Sequence, residues 1–332
     1  MMQLRITHET CYDYAPAVDI AQHMAYLQPL NNSHQHLLSH SLLITPEPAQ
    51  QIATQDVYGN TRQFFSLQAS HTQLKVTANS VVSTQACPMP ESEIGWEEVR
   101  ERFRYCAKKP FDAAAEFVFT SPYVPRHAEF AAYARPSFSP GRPLLQAARD
   151  LMQRIHLDFT YESQSTQVNT PALVALEQRK GVCQDFAHIM IACLRANGVP
   201  ARYISGYVLT QPAPGQPRLI GSDASHAWVS VYLPDLGNTT TDARWCDLDP
   251  TNNRDGWGTP GQDYVTVAIG RDYADVSPIR GVIHGGANHT LTVGVTVEPF
   301  EVFAPLGQSQ SQSQTQGSSQ DMSQSQRPAA II

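Results

Sequence analysis

The sequence predicts an α+β fold. An N-terminal antiparallel β-sandwich or barrel-like domain precedes a core in which a cysteine-bearing helix packs on an antiparallel sheet. Two observations carry this expectation. From Gln3 to about Thr84, short β-rich runs follow one another with no helix between them. Beyond residue 142 the order is helices first and strands afterwards, at hairpin-like spacing. With 332 residues, 42% of them hydrophobic, the chain can bury a sizeable core, and its length suggests roughly two domains.

The N-terminal strands are "LRITHETCYDY", "HLLSHSLLITP", "TRQFFSLQ" and "LKVTANSVVST". "DVYGN", Asp56 to Asn60, reads as a turn because Gly and Asn tolerate positive φ. Residues 87–141 form a helical and loop connector, with "EIGWEEVRERFRYCAKKP" its clearest helical part and "SPYVPRH" and "RPSFSPGRP" its punctuation. A helix begins near Pro143, with Leu144, Leu145, Ala148, Leu151, Met152 and Ile155 on one stripe. "NTPALVALEQRKG" starts a second helix, with Thr170 as cap, Pro171 in the first turn and Gly181 at its end. A third begins at Cys183, turns Phe186, Met190, Cys193 and Leu194 inward, and stops at Asn197-Gly198.

Strands follow at "ARYISGYVL", "HAWVSVYL", "RWCDLD" and "YVTVAIG", and a last one at "HTLTVGVTVEPF". The expected division is 1–86 β-rich, 87–141 connector, 142–306 core with the last strand, and 307–332 tail. The Gln/Ser-rich tail has too little apolar area to offset its ordering entropy, so disorder is expected there.

A net charge of -7 and a pI near 5.9 argue against nucleic acid or an anionic membrane as partner. The amino terminus lacks the apolar stretch of a secretory signal, and no run approaches the roughly 18 apolar residues of a span, so a cytoplasmic protein is expected. The six cysteines show neither CxxC nor paired spacing, which argues against a disulfide framework or a zinc ribbon.

Buried free thiols are the ordinary reading of such a set, and Cys183 departs from it by position. The thiolate is the reactive form, and a helix amino terminus favours it through unpaired N–H groups and a partial positive charge. The N–H of Cys183 itself can face an oxyanion forming on an attacked carbonyl. Cys193, ten residues on and about 15 Å away at ~1.5 Å per residue, reads as core packing. A nucleophile needs a base, and the base an orienter. In "SDASHAWVSVYL", His226 starts a strand and shares a face with Trp228, Ser230 and Tyr232. In "RWCDLDPTNN", Trp245, Asp247 and Asp249 share a face. Antiparallel pairing of the two strands brings one of these carboxylates beside His226, where it can fix the imidazole tautomer that accepts from sulfur.

These motifs resemble the transglutaminase-like superfamily, in its bacterial branch with a β-rich N-terminal region. The resemblance rests on "GVCQDFAH", "DASHAWV" and "DLDPTNN", supported by "FTYESQSTQVNTPALVAL", "ANGVPARYISGY" and the N-terminal "YDY…YGN…LKVTANSVV". It covers about Leu4 to Pro299 and implies a papain-like, transglutaminase-like core. It implies Cys183 as nucleophile, His226 as general base and acid, and Asp249, which stands directly before Pro-Thr, as orienter. Tyr161 and Gln184 are candidates for oxyanion support and Asp247 a further support residue. Asp185, Asp223 and Asn252 are expected to hold backbone around the site, and His188 to be structural.

The implied chemistry is acyl transfer through a thioester on a peptide or protein amide, with no cofactor and no metal. Peptidase or amidase action is expected, with transfer of a glutamine acyl group to an amine acceptor as the alternative. A metal enzyme built on His34, His36 and His40 lacks HExxH and a nearby carboxylate. A non-catalytic binding or scaffold module on the same fold fits poorly with a chain that keeps Cys, His and Asp together.

Overall fold

The computed structural model describes residues 1–300 apart from 87, 90, 109, 163–164, 211–224, 237–243 and 287. The Gln/Ser-rich tail and Asp223 therefore lie outside the described residues. The β-rich region is one sheet. Strand β1 (Met2–Ala25) runs through its centre, flanked by β2 (Gln35–Thr45) and β5 (His71–Thr84) on one side and by β3 (Gln50–Gln55) and β4 (Thr61–Leu67) on the other. The turn between β3 and β4 is set by Asp56, whose carboxylate accepts from the N–H groups of Tyr58 and Asn60 while Gly59 takes φ 82°.

The connector holds α1 (Trp96–Phe103), a short 3-10 helix (Ala113–Val118) and α2 (Ala128–Ala134). The core begins with α3 (Leu144–Asp158), whose stripe Leu144, Leu145, Ala148, Leu151, Met152 and Ile155 is buried. Then come β6 (Thr160–Tyr161), α4 (Ala172–Gln178), β7 (Lys180–Gly181) and α5 (Cys183–Ala196). The sheet strands are β8 (Ala201–Val208), β9 (Ser225–Tyr232), β10 (Trp245–Asp249), β11 (Arg254–Trp257) and β12 (Tyr264–Gly270), in the order β11-β10-β9-β8-β12, all antiparallel. One face of this sheet, with Ala227, Val229, Val231, Cys246 and Leu248, packs into the same core as α5.

Three local expectations are corrected. Thr170 does not cap α4: its hydroxyl accepts from the Gln167 N–H, and Pro171 stands at the cap position. Helix α4 ends at Gln178, before Gly181, because Arg179 turns left-handed at φ 55°. Its guanidinium lies over the Tyr133 and Phe159 rings, 4.4 and 4.9 Å from their centroids, which offsets the cost of that backbone.

The third correction concerns the carboxyl-terminal strands. After α6 (Tyr273–Val276), β13 (Ile279–Gly285) and β14 (Asn288–Pro299) both pair antiparallel with β1. They complete the N-terminal sheet, not the core to which residues up to 306 were assigned. Leu4, Ile6 and Val82 share a hydrophobic core with Val295, Val297 and the helices. His8 reaches the other sheet by a 2.7 Å hydrogen bond to the Tyr207 hydroxyl. Among the described residues no helix is long and apolar enough to cross a membrane.

Candidate active site

Cys183 is the first residue of α5, where helical N–H groups lack partners. Val182 before it is extended, and Asp185 reaches back to accept from the Val182 N–H at 2.9 Å and from the Thr166 hydroxyl at 2.7 Å. Burial pushes the Asp185 carboxyl up while these hydrogen bonds pull it down, and burial prevails. Gly181 permits the turn, since a Cβ there would stand 2.7 Å from the Asp185 side chain. Parallel pairing of β6 with β7 places Tyr161 opposite Gly181, on the flank of the sulfur.

His226 comes from the start of β9. Its Nε2 lies 2.7 Å from Asp249 Oδ2, and the ring is close enough to Cys183 for the sulfur to influence its protonation. With Nε2 on the carboxylate, Nδ1 is the ring nitrogen left for the sulfur. The Cys183 Sγ also lies 4.0 Å from the Ser225 carbonyl. Asp249 is fully buried and accepts from five donors. Oδ1 takes the backbone N–H groups of Thr251 and Asn252, and Oδ2 takes His226, the Asn252 amide and the Tyr264 hydroxyl.

The electrostatics follow from this arrangement. Burial alone lowers the His226 pKa, but hydrogen bonds and charge from Asp249 and Cys183 override it and push it up to about 10. Burial would raise Asp249, yet its donors, His226 foremost, hold it below the usual carboxylate range. The pair is therefore an imidazolium facing a carboxylate. By contrast, Cys193 is fully buried and its thiol is pushed well up by burial.

The structure thus brings Cys183, His226 and Asp249 together and separates them from two other candidates. Asp247 shares the pleat face of Asp249, but its carboxylate accepts from the Trp228 indole at 2.8 Å and does not meet His226. It acts through Trp228, whose ring stacks on His226 at 6.1 Å. The Gln184 amide donates to the Val168 carbonyl at 3.0 Å. Tyr161 is 53% exposed, and its pKa is raised by burial of the ring and by the nearby Cys183 charge, so it alone of these candidates flanks the sulfur. His188 is buried within α5, between the Tyr123 and Tyr203 rings. His36 and His40 lie in β2, and His34 packs on Trp257.

Two residues of the site escaped sequence reasoning. Asn252 was assigned to backbone support, yet its side chain donates to Asp249. Its spacing three residues after an Asp-Pro turn was the available signal. Tyr264 carried none, because only the assembled sheet brings it to Asp249.

The geometry defines a cysteine–histidine–aspartate site on an α+β core. Residues 131–250 match the transglutaminase-like superfamily and residues 4–83 the bacterial transglutaminase-like N-terminal region. An uncharacterized protein of Mycobacterium tuberculosis is 41% identical over 303 residues, 90% of this chain and 93% of its own length. The chain belongs to the transglutaminase-like superfamily, in the group that carries the bacterial N-terminal region. A protein-glutamine gamma-glutamyltransferase of Pseudomonas aeruginosa is 30% identical over 130 residues, 33% of this chain and 18% of that protein. A candidate cysteine protease of Cytophaga hutchinsonii, 21% identical, superposes with a TM-score of 0.69 over 91% of each chain, which shows a shared fold.

Proposed function

We propose that this protein is a cysteine-dependent acyl-transfer enzyme that opens amide or peptide bonds through a thioester on Cys183, with hydrolysis as its outcome. The observation that carries the reading is the His226 ring held between Asp249 and Cys183, with Nε2 on the carboxylate and Nδ1 left for the sulfur. In the first step the Cys183 sulfur attacks the carbonyl carbon, the C–S bond forms and the carbonyl oxygen takes the negative charge. The unpaired N–H of Cys183 faces that oxygen. The tetrahedral adduct collapses with cleavage of the C–N bond, and His226 Nδ1 gives its proton to the leaving amine. Water, deprotonated by the now neutral imidazole, then attacks the thioester, and the thiol departs with the acid as product.

Solvent access favours water as acceptor. Among the described residues Cys183 is only partly buried, and Tyr161 and Val168 beside it are each 53% exposed. The resemblance to a protein-glutamine gamma-glutamyltransferase supports a second reading, in which an amine replaces water. Incubation with a mixed library of peptides and glutamine-containing substrates, with and without a primary amine, decides between them by mass. Cleavage or deamidation that is unchanged by amine is expected, and amine-dependent mass gain points to the second reading. Unchanged substrates throughout, or equal turnover by the Cys183→Ala variant, would refute both.

A further inference from the structure

We propose that Tyr264 is a positioning residue for the Cys183–His226 pair and acts through Asp249. Its hydroxyl shares Oδ2 with the imidazole, fixing where the carboxylate sits and limiting how strongly it draws on the imidazolium. The proposal rests on the acyl-transfer reading of the site and adds a residue that the Cys-His-Asp pattern does not contain.

Three donors meet at Oδ2, each at 2.7 Å: His226, Asn252 and Tyr264. The Asn252 amide also lies 3.2 Å from the Tyr264 hydroxyl and 3.3 Å from His226 Nε2, so the four groups form one closed cluster. Tyr264 is 1% exposed, which leaves its hydroxyl no water to turn to. Its ring is fixed on two sides. The Trp228 ring meets it edge-on at 5.4 Å, and the Arg254 guanidinium lies over it at 4.8 Å.

That guanidinium is itself clamped by Asp263, at 2.6 and 2.7 Å. The clamp needs Gly261, where a Cβ would stand 2.1 Å from the Arg254 side chain and 2.5 Å from that of Asp263. A buried phenol pinned this way by packing, a cation and a tight turn is a rigid donor. Among the described residues, the titratable and hydrogen-bonding side chains around the imidazole are Cys183 from α5, Asp249 from β10, Asn252 from the following turn and Tyr264 from β12, and the Trp228 ring stacks on it. Arg254, paired across the strand with Asp249, is the nearby cation.

Hydrogen bonds that share one acceptor oxygen compete for its electron density. Removing the phenol hydroxyl leaves Asp249 a stronger acceptor for His226 and a less well-located one. Tyr264→Phe keeps the ring contacts with Trp228 and Arg254 and deletes only the donor. The decisive measurement is an NMR pH titration of the His226 ring in the full chain, in wild type and variant, because it needs no substrate. The His226 midpoint is expected to rise in Tyr264→Phe, and the high-pH limit of Cys183 alkylation by iodoacetamide to rise with it.

On a substrate found as above, kcat is expected to fall about tenfold with KM unchanged, the scale of one hydrogen bond to a charged group. A merely structural role would leave the titration where it is. A His226 midpoint that is unchanged or lower in a variant with native melting behaviour overturns the proposal. If Tyr264→Phe does not fold, Asn252→Ala, at an exposed turn position, tests the same sharing: an upward shift supports it and a flat titration overturns it. Absence of turnover in wild type with a shifted titration sinks the acyl-transfer reading and leaves the role of Tyr264 standing.

Discussion

Replacement of Asp249 by Asn removes one charge and almost no volume, so its consequences follow from the donors around it. Oδ1 faces two backbone N–H groups and Oδ2 faces three side-chain donors. An amide has one oxygen and one NH2, so whichever way it turns, at least two donors meet another donor. Each buried donor left unpaired costs about 1–3 kcal/mol, and a stability loss of ~2–5 kcal/mol is expected. The larger effect is on His226. Without the carboxylate, burial dominates, and the imidazole pKa falls from about 10 back toward or below 6.5. With the midpoint returned to about 6.5, about a tenth of the imidazole is protonated at pH 7.5, so any rate that needs the imidazolium falls ~10-fold there. Cys183 alkylation by iodoacetamide, followed by peptide mass mapping from pH 6 to pH 10, measures this directly. Asp249→Asn is expected to lose ~10-fold in rate near pH 7.5, with the high-pH limit of its profile moved down. Asp247→Asn, which removes a buried carboxylate on the same strand face whose partner is Trp228 and not His226, is the control. An unshifted profile in Asp249→Asn, or the larger shift in Asp247→Asn, would refute the assignment of the orienter.

Cys183→Ala is expected to abolish turnover with the melting temperature within a few degrees of wild type, and residual turnover would exclude Cys183 as nucleophile. Iodoacetamide near neutral pH is expected to label Cys183 ahead of Cys193 and Cys246, both buried and with thiols pushed up by burial; equal labelling in the folded protein would contradict this. His8 and His23, held neutral with pKa values near 4, and His188, near 3, take up protons only on unfolding once the pH drops below 6.5. Stability is therefore complete above that value and lost below it, by ~1.4 kcal/mol per group at pH 5.5 and ~4 kcal/mol for the three, read as a lower urea midpoint than at pH 7.5. His226, whose pKa is raised, acts the other way: its contribution grows by ~1.4 kcal/mol between pH 7.5 and pH 5.5 and offsets about a third of the loss. Gly181→Ala puts a methyl 2.7 Å from the Asp185 side chain and should unseat the α5 start, read as slower Cys183 alkylation at unchanged pH; wild-type reactivity would show that the turn yields.

The parts of the site that were legible in the sequence are those written in local pattern. Cys183 follows a Gly-Val step into a helix, His226 opens an alternating strand, and Asp249 precedes a Pro-Thr-Asn-Asn turn. What was illegible depends on pairing across long sequence separation. The alternation in "HTLTVGVTVEPF" announces a strand, but nothing in it says that its partner is β1, more than 270 residues away in chain order. Tyr264 is one aromatic residue in a run of β-formers until β12 takes its register against β8. Nor does the sequence announce the partner of Gln184, whose amide donates to the Val168 carbonyl sixteen residues back.

Asp247 and Asp249 show where such reading ends. They stand two residues apart on one strand and one face, at 3% and 0% exposure, and sequence chemistry gives them equal claim to the imidazole. Their protonation equilibria nevertheless move in opposite directions. Burial raises Asp247 against weaker opposition from Ser230, Arg202 and the Trp228 indole. Asp249 meets burial just as severe and is still lowered, because His226, Tyr264, Asn252 and two backbone N–H groups converge on it. The acid that serves the histidine is therefore chosen by its donors, which come from β9, β12 and the turn after β10. A variant that carried the motif but lost Tyr264 or Asn252 would keep the pattern and lose part of what makes that carboxylate an anion.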